Sequence, residues 1–188
     1  MKTVGILALQ GDFDAHRKAI ERASGNAETR AIEVRTAAEL AQCDALIIPG
    51  GESTTMWKLL EIEGLLDPLR EFAARKPVYG SCAGAILLAR EVTHPEQASL
   101  GLIDISIERN AYGRQIDSRI AKVATAEGEM EAVFIRAPII RRAGPDTKVL
   151  ARYAGDPVWV EQGRHMVTTF HPELTADTQV HRRLLEKL

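Results

Sequence analysis

The sequence has few cysteines, no long apolar run and no excess of basic residues. Its 188 residues include only two cysteines, Cys43 and Cys82, which cannot build a disulfide framework and indicate a reducing compartment. No apolar run is long enough to cross a bilayer, and the first residues lack the cleavage region of a signal peptide. A formal net charge of -2 leaves no basic surface for nucleic acid. We therefore expect a cytoplasmic protein with neither a membrane nor a nucleic-acid partner.

What the sequence does contain is the composition of a folded domain. Hydrophobic residues make up 45% of the chain and charged residues 27%, which is the usual balance of a globular protein with a core. No repeat, low-complexity tract or linker interrupts the chain. Residues 1–188 are therefore expected to form a single domain.

Apolar runs alternate with helical patterns in the first half of the chain. Strands are predicted at 3–9, 29–34 and 44–49, and an amphipathic helix is predicted at 16–23. Such an alternation is typical of an α/β fold. The prediction is a three-layer sandwich, in which helices cover both faces of a mostly parallel central sheet.

The pattern changes after residue 90. Strand-like segments joined by short polar turns are expected to be antiparallel and to extend one edge of the sheet. These segments are 100–107, 115–125, 130–135, 149–153 and 158–162. A further strand is predicted at 166–170, and an amphipathic helix at 178–188 closes the chain.

A cysteine lies between two glycines where a predicted strand gives way to a predicted helix. The strand ends at Tyr79, and Gly80 and Gly84 flank Cys82. A strand, a tight turn and a helix are the context of a nucleophile elbow, which presents one side chain at the end of a sheet. The helix N-terminus would favour the thiolate, which is the nucleophilic form of cysteine. The alternative is a buried structural cysteine in a glycine-rich turn.

A histidine and a glutamate follow the predicted strand 166–170. His171 and Glu173 would point to the same side of an extended segment, where the carboxylate can orient the imidazole. Together with Cys82 they supply the nucleophile, base and orienting group of acyl transfer. Parallel sheets collect such groups at the carboxyl ends of their strands. Alone, the pair would be interpreted as a surface turn, but the elbow favours chemistry.

Acyl transfer also needs hydrogen-bond donors for a developing oxyanion. The backbone N–H of Ala83 at the start of the elbow helix is one candidate, and the turn Gly50-Gly51 after the third strand is another. A turn without a catalytic role is the alternative. A phosphate-binding loop is less favoured, because the turn lacks the Gly-Lys-Ser/Thr of a P-loop.

Two of these motifs, GSCAG at 80–84 and HPE at 171–173, resemble the class I, or triad-type, glutamine amidotransferases. Within that class, LALQGDF at 7–13, IIPGGESTT at 47–55 and ERNAYGRQ at 108–115 resemble the glutaminase subunits of pyridoxal 5′-phosphate synthase, called PdxT in bacteria and SNO in yeast. The resemblance extends from the first strand to the HPE motif. It implies the flavodoxin-like sandwich of class I amidotransferases.

The resemblance also implies a reaction, in which glutamine and water give glutamate and ammonia. Cys82 would attack the side-chain amide and form a thioester, His171 would protonate the leaving ammonia and then activate water, and Glu173 would orient His171. The substrate-binding residues that it implies are Gly51, Glu52, Ser53, Arg109, Ile135 and Arg136. Gly51 would also serve the oxyanion hole, together with Ala83.

Charge complementarity suits these substrate-binding roles. Glu52 would face the ammonium group of glutamine, and an arginine suits its carboxylate. Without the motif match, Arg109 and Arg136 would be interpreted as solvated charges at strand ends. One departure from the family's pattern is Ser81, where many relatives have threonine, which is also a small hydroxyl residue.

The resemblance implies a partner, a separate (β/α)8-barrel synthase subunit that receives the ammonia within a large hetero-oligomer. No cofactor is expected, and no His, Cys or Asp cluster has the spacing of metal ligands. His16 and His181, on predicted helices, are expected at the surface. Two other functions stay open: an amidotransferase subunit of another pathway, such as purine or histidine synthesis, and a non-glutaminase protein with a cysteine elbow.

Overall fold

The computed structural model describes residues 1–25, 28–111 and 118–188 and has an α/β architecture. Its strands are β1 (Lys2–Leu7), β2 (Thr29–Val34), β3 (Ala45–Ile48), β4 (Val78–Ser81), β5 (Ala89–Thr93), β6 (Ile103–Glu108), β7 (Ser118–Thr125), β8 (Gly128–Ile135), β9 (Ile139–Ala143), β10 (Lys148–Tyr153), β11 (Asp156–Gln162) and β12 (His165–Thr168). Its helices are α1 (Phe13–Ser24), α2 (Ala37–Leu40), α3 (Ser53–Ile62), α4 (Leu66–Ala73), α5 (Ala83–Leu88) and α6 (Gln179–Leu185).

A seven-stranded sheet forms the centre of the fold, in the order β10-β11-β12-β4-β3-β1-β2. The strands from β12 to β2 are parallel, and β10 and β11 add two antiparallel strands at one edge. This arrangement confirms the predicted mostly parallel α/β sheet. Among the described residues, no helix has both the length and the apolar character needed to cross a membrane.

The prediction that the whole second half extends this edge is wrong. Among the strands that the structure describes, only β10 and β11 do so, whereas β5, β6 and β9 form a separate three-stranded sheet and β7 and β8 form a two-stranded one. The pair β5 and β6 is even parallel. The sequence did not predict β5, because this strand follows α5 without a turn, or β9, which has a polar second half. The first residues of the predicted strand 115–125, and residues 112–115 of the ERNAYGRQ motif, lie outside the described residues.

The central sheet separates two apolar cores. Successive side chains of a strand point to opposite faces, and every residue of β3 is fully buried, as expected for a parallel strand covered on both sides. Leu46 and Ile48 pack into one core with Met56 of α3. Ala45 and Ile47 pack into the other core, behind α1 and α6.

Strands β4 and β12 are neighbours although more than eighty residues separate them in the sequence. They are parallel, and their registers place Thr168 opposite Ser81 at the carboxyl ends of both strands. The backbone N–H of Cys82 then donates to the carbonyl of Thr168 over 2.8 Å. The residues that follow the two strands therefore emerge side by side at one edge of the sheet.

Candidate active site

Cys82 sits at a strained turn between β4 and α5. Its φ of 50° and ψ of -104° are unusual for a residue with a side chain and are expected to cost on the order of 1–3 kcal/mol. A Cβ at Gly80 would lie 2.4 Å from the backbone of Gly84, and one at Gly84 would lie 2.1 Å from the carbonyl of Ile48. The two glycines therefore permit the close packing that the elbow prediction requires.

His171 is held from its backbone and from its ring. Its N–H donates to the carbonyl of Val133 in β8 over 2.8 Å, and its Nδ1 lies 2.7 Å from Oε1 of Glu173. Glu173 is buried in a single 3-10 turn, Pro172–Leu174. The predicted contact between the two side chains is present, but a tight turn produces it instead of the expected extended segment.

Gly50 lies close to both Cys82 and His171. A Cβ added to Gly50 would lie 2.5 Å from Cε1 of His171 and 3.5 Å from Cβ of Cys82. Because Nδ1 of the ring faces Glu173, Nε2 is the nitrogen that can hydrogen-bond to the cysteine sulfur. The sulfur, the imidazole and the carboxylate thus follow one another in the order that acyl transfer requires.

An open cavity of about 460 Å³ lies over these groups, a volume within the usual range for small-molecule sites. Every site residue that the sequence predicts borders it. These residues are Gly51, Glu52, Ser53, Cys82, Ala83, Arg109, Ile135, Arg136, His171 and Glu173. Further lining residues that the sequence did not single out are Gly11, Asp12, Ile86, Asn110, Pro138 and Leu174.

Comparison with known proteins identifies the family. The model of the SNO glutamine amidotransferase family matches residues 6–188. The chain belongs to the SNO glutamine amidotransferase family. A similar relative, the pyridoxal 5′-phosphate synthase subunit PdxT of Solibacter usitatus, is 58% identical over 196 residues that cover 100% of both chains. The subunit of the same name from Deinococcus radiodurans is 49% identical and aligns with 97% of this chain and 95% of its own.

Solved structures agree with this membership. A crystal structure of a glutamine amidotransferase has a TM-score of 0.90 at 45% identity and covers 98% of this chain and 97% of its own. The structure of PurLQS from Thermotoga maritima has a TM-score of 0.69 at 14% identity, over 99% of this chain and 96% of that chain, and shares the fold alone. The predicted fold class and the family resemblance are confirmed.

In this SNO-family chain the triad-like groups form a charged pair. Burial alone would lower the pKa of His171, but hydrogen bonds to Cys82 and Glu173 outweigh it and raise that pKa to about 10. Burial alone would raise the pKa of Glu173, but the neighbouring histidines His16 and His171 outweigh it and lower that pKa to about 2. The structure therefore favours a carboxylate beside an imidazolium at neutral pH.

Acid titration should reveal the stabilising contribution of the Glu173 carboxylate. Its pKa is about 2 in the folded chain, against a model value of 4.5, so this contribution is present above pH 4.5 and is lost as the pH falls towards 2. We expect the free energy of unfolding of wild type, relative to Glu173→Gln, to fall by up to about 3 kcal/mol between pH 5 and pH 2. Urea unfolding at several pH values measures it.

The exposed Glu71 supplies the matched control for this titration. A Glu71→Gln variant makes the same chemical change at the surface and measures how the free energy of unfolding responds to it over the same pH range. If wild type and Glu173→Gln differed by a constant amount over that range, the depressed pKa of Glu173 would be contradicted.

Glu52 has a structural use in addition to its predicted binding role. Its carboxylate caps α3 by accepting from the N–H and hydroxyl groups of Thr54 and Thr55, at 2.5–3.1 Å. Burial alone would raise the pKa of Glu52, but these hydrogen bonds outweigh it and lower the pKa to about 2. The carboxylate also lies 3.4 Å from Nη2 of Arg109. Its contact with a substrate ammonium group stays a prediction.

Arg109 borders the cavity and has a buried nitrogen without a partner among the described residues. Its side chain is only 11% exposed, and its Nη1 is buried without a hydrogen-bond partner in the part of the chain that the structure describes. A buried guanidinium nitrogen without a partner is costly, and a carboxylate is the group that would best satisfy it. Arg136, another predicted substrate-binding residue, is exposed and has a φ of 43°. The hydroxyl of Ser53, also predicted to bind substrate, donates to Oε1 of Gln97 over 2.7 Å.

The turn between β3 and α3 is held against the turn after β1. Oε1 of Gln10 accepts from the N–H of Glu52 over 3.0 Å, and Gly51 has a φ of 148° that favours glycine. A Cβ on Gly11 would lie 1.8 Å from the carbonyl of Gly50. Their contact gives the predicted oxyanion turn a defined backbone position, although its role as an oxyanion hole stays a prediction.

The prediction that His16 and His181 lie at the surface is wrong, because both are fully buried behind Glu173. His16 is three and four residues before Ala19 and Ile20, on the same face of α1, and this spacing could have indicated burial. Within the described ranges, no cluster of His, Cys, Asp and Glu side chains is arranged to hold a metal ion.

Proposed function

We propose that this chain is the glutaminase subunit of a pyridoxal 5′-phosphate synthase. It hydrolyses L-glutamine to L-glutamate and ammonia and supplies the ammonia to a separate synthase subunit. The observation that carries the proposal is the convergence of Cys82, His171 and Glu173 at one cavity. The names of the PdxT relatives, similar over the whole chain, support the pathway.

The reaction proceeds through a thioester. The sulfur of Cys82 attacks the side-chain amide carbon of glutamine, and the carbonyl oxygen becomes an oxyanion that the N–H groups of Ala83 and Gly51 stabilise. His171 gives a proton to the amide nitrogen, so that ammonia leaves and the thioester remains. The neutral ring then takes a proton from water, which attacks the thioester and releases glutamate. Glu173 holds the ring in the required orientation throughout.

Free glutamine carries two further charges that the cavity must bind. Arg109 takes the α-carboxylate, and Glu52 faces the α-ammonium group. The other binding residues that we assign are Gly51, Ser53, Ile135 and Arg136, all of which border the cavity. A site with both charges suits a free amino acid better than a peptide, which disfavours a protease-like function.

The product explains why a partner is needed. Ammonia released into neutral water becomes mostly ammonium, which is a poor nucleophile, so the acceptor site must be close. We assign residues 1–188 to a single glutaminase domain in the cytoplasm. Its partner is a (β/α)8-barrel synthase subunit within a large hetero-oligomer, where the ammonia passes directly between subunits.

The test is glutamate release from glutamine by this chain alone and mixed with a synthase subunit. We expect weak turnover alone and at least about tenfold faster turnover in the mixture, because contact sets the Gly50-Gly51 amide in the oxyanion hole. The Cys82→Ala variant in the same mixture is the control. Equal turnover with and without the synthase would contradict the proposed activation by the synthase. If neither the chain alone nor the mixture released glutamate, the glutaminase assignment would be wrong.

The pathway needs a separate test, because an amidotransferase subunit for purine or histidine synthesis would pass the same assay. A vitamin B6 auxotroph that lacks its own glutaminase subunit should grow on limiting ammonia when it carries the wild-type chain. Growth restored equally by Cys82→Ala would contradict the proposal.

A further inference from the structure

A buried chain of polar groups continues behind the triad. Oε1 of Glu173 contacts His171, while Oε2 lies 3.4 Å from Nε2 of His16 and has no hydrogen bond of ordinary geometry among the described residues. Nε2 of His16 is also 3.0 Å from Oγ of Ser81, the residue before the nucleophile. Nδ1 of His16 is 3.1 Å from Nε2 of His181. The glutamate and both histidines are buried.

The surroundings decide which ring nitrogen of His16 carries its proton. Near pH 7 both rings are neutral, because burial lowers the pKa of His16, although the Glu173 carboxylate opposes this, and brings that of His181 to about 3. An ionised carboxylate can only accept hydrogen bonds, so a lone pair on Nε2 of His16 would repel Glu173. The proton therefore belongs on Nε2 of His16, where it is donated to Oγ of Ser81 and lies close to the Glu173 carboxylate.

His181 supports the same assignment. With its proton on Nε2, it donates to Nδ1 of His16. Nδ1 of His181 then carries a lone pair and no proton, and it has no hydrogen-bond partner among the described residues. The opposite arrangement would bury an unpaired N–H on His181, which costs more than an unpaired lone pair on an aromatic ring nitrogen.

We propose that His16 is a positioning residue of the active site. Its Nε2–H is hydrogen-bonded to Oγ of Ser81 and attracts the outer oxygen of the Glu173 carboxylate 3.4 Å away, which keeps the inner oxygen on Nδ1 of His171, and His181 fixes the tautomer of His16. The proposal rests on the glutaminase function above. Without this contact the carboxylate rotates about its last bond, and the imidazole that must reach Cys82 loses its orientation.

Replacement of His16 gives the test, measured as glutaminase kcat and KM in the mixture with a synthase subunit. His16→Leu, which has no donor, should lower kcat by about 10-fold to 100-fold and change KM little. His16→Gln, which keeps an N–H near the position of Nε2, should recover part of that loss. His165→Leu is the matched control, because His165 is also buried but contacts the backbone of Val78 instead of the triad.

A double replacement separates positioning from a purely structural effect. In a Glu173→Ala background, which has no carboxylate to hold, His16→Leu should cause no further loss of kcat. A loss by the same factor in both backgrounds, or a kcat for His16→Leu within twofold of wild type, would overturn the proposal. Wild type that is no more active than Cys82→Ala would instead remove the glutaminase function itself.

The wild-type chain provides a measurement that does not depend on the folding of a variant. Two-bond ¹H–¹⁵N correlation spectra of the labelled chain near pH 7.5 report which ring nitrogen of each histidine is protonated. We expect the Nε2–H tautomer for both His16 and His181. An Nδ1–H tautomer of His16 would place a lone pair against Glu173 and would overturn the proposal.

Discussion

Replacing Cys82 with alanine is expected to lower the kcat of glutamine hydrolysis by at least about 10⁴-fold. Without the sulfur no thioester forms, and only binding and the oxyanion donors remain to accelerate direct attack by water. The fold should persist, because the side chain is small and the glycines at 80 and 84, not the sulfur, permit the turn. Glutamate release in the mixture with a synthase subunit measures the loss, and circular dichroism checks the fold.

Cys43 supplies the matched control for this replacement. It is fully buried near the start of β3, its sulfur contacts the carbonyl of Glu39, and burial raises its pKa to about 11. Its thiol is therefore protonated and remote from the cavity, so Cys43→Ala should keep wild-type kcat. If Cys82→Ala retained more than about one hundredth of wild-type turnover, the nucleophile would have to be sought elsewhere.

Adding one methyl group at Gly50 is expected to lower kcat by at least about 100-fold while the chain still folds. The new Cβ would lie 2.5 Å from Cε1 of His171, closer than non-bonded carbons approach. Since the backbone of His171 is tied to Val133, the ring itself must turn away from Cys82. A displacement of about 1 Å is enough for a loss of this size.

Gly101→Ala distinguishes this effect from the general cost of a glycine replacement. A Cβ there meets no atom within 4 Å, although its φ of 65° should cost on the order of 1 kcal/mol of stability. We expect this control to unfold at slightly lower urea concentration with unchanged kcat. Gly50→Ala turnover within twofold of wild type would show that His171 does not need its present position.

The reacting groups could be predicted because their signals are local. The glycines at 80 and 84 mark a turn around Cys82, and His171 follows an apolar strand, so both residues were expected at strand ends. The pairing of β12 with β4, which makes these two ends neighbours, depends on long-range packing that no short stretch of sequence contains. Cys82 and His171 are expected to lie close together for a chemical reason, because a nucleophile needs a neighbouring base.

The wrong predictions for His16 and His181 share a cause, which is judging a residue by its own type. His16 and His181 were expected at the surface as polar residues on helices, although His181 is three residues before the buried Leu184 on one helix face. The capping role of Glu52 was missed for a similar reason, although Thr54 and Thr55 follow it closely enough to bond to its carboxylate, while its substrate-binding role stays a prediction. Neighbour spacing was the better guide in each case.

The position of β4 beside β12 also has an evolutionary consequence. The chain leaves the central sheet after α5 and returns to it at β10, and the intervening excursion contributes Arg109, Ile135 and Arg136 to the rim of the cavity. Because the nucleophile and its base directly follow β4 and β12, which pair with each other, insertions in parts of the excursion other than the contact of Val133 with His171 leave their spacing intact. A lineage can thus remodel what enters the pocket without rebuilding what reacts there.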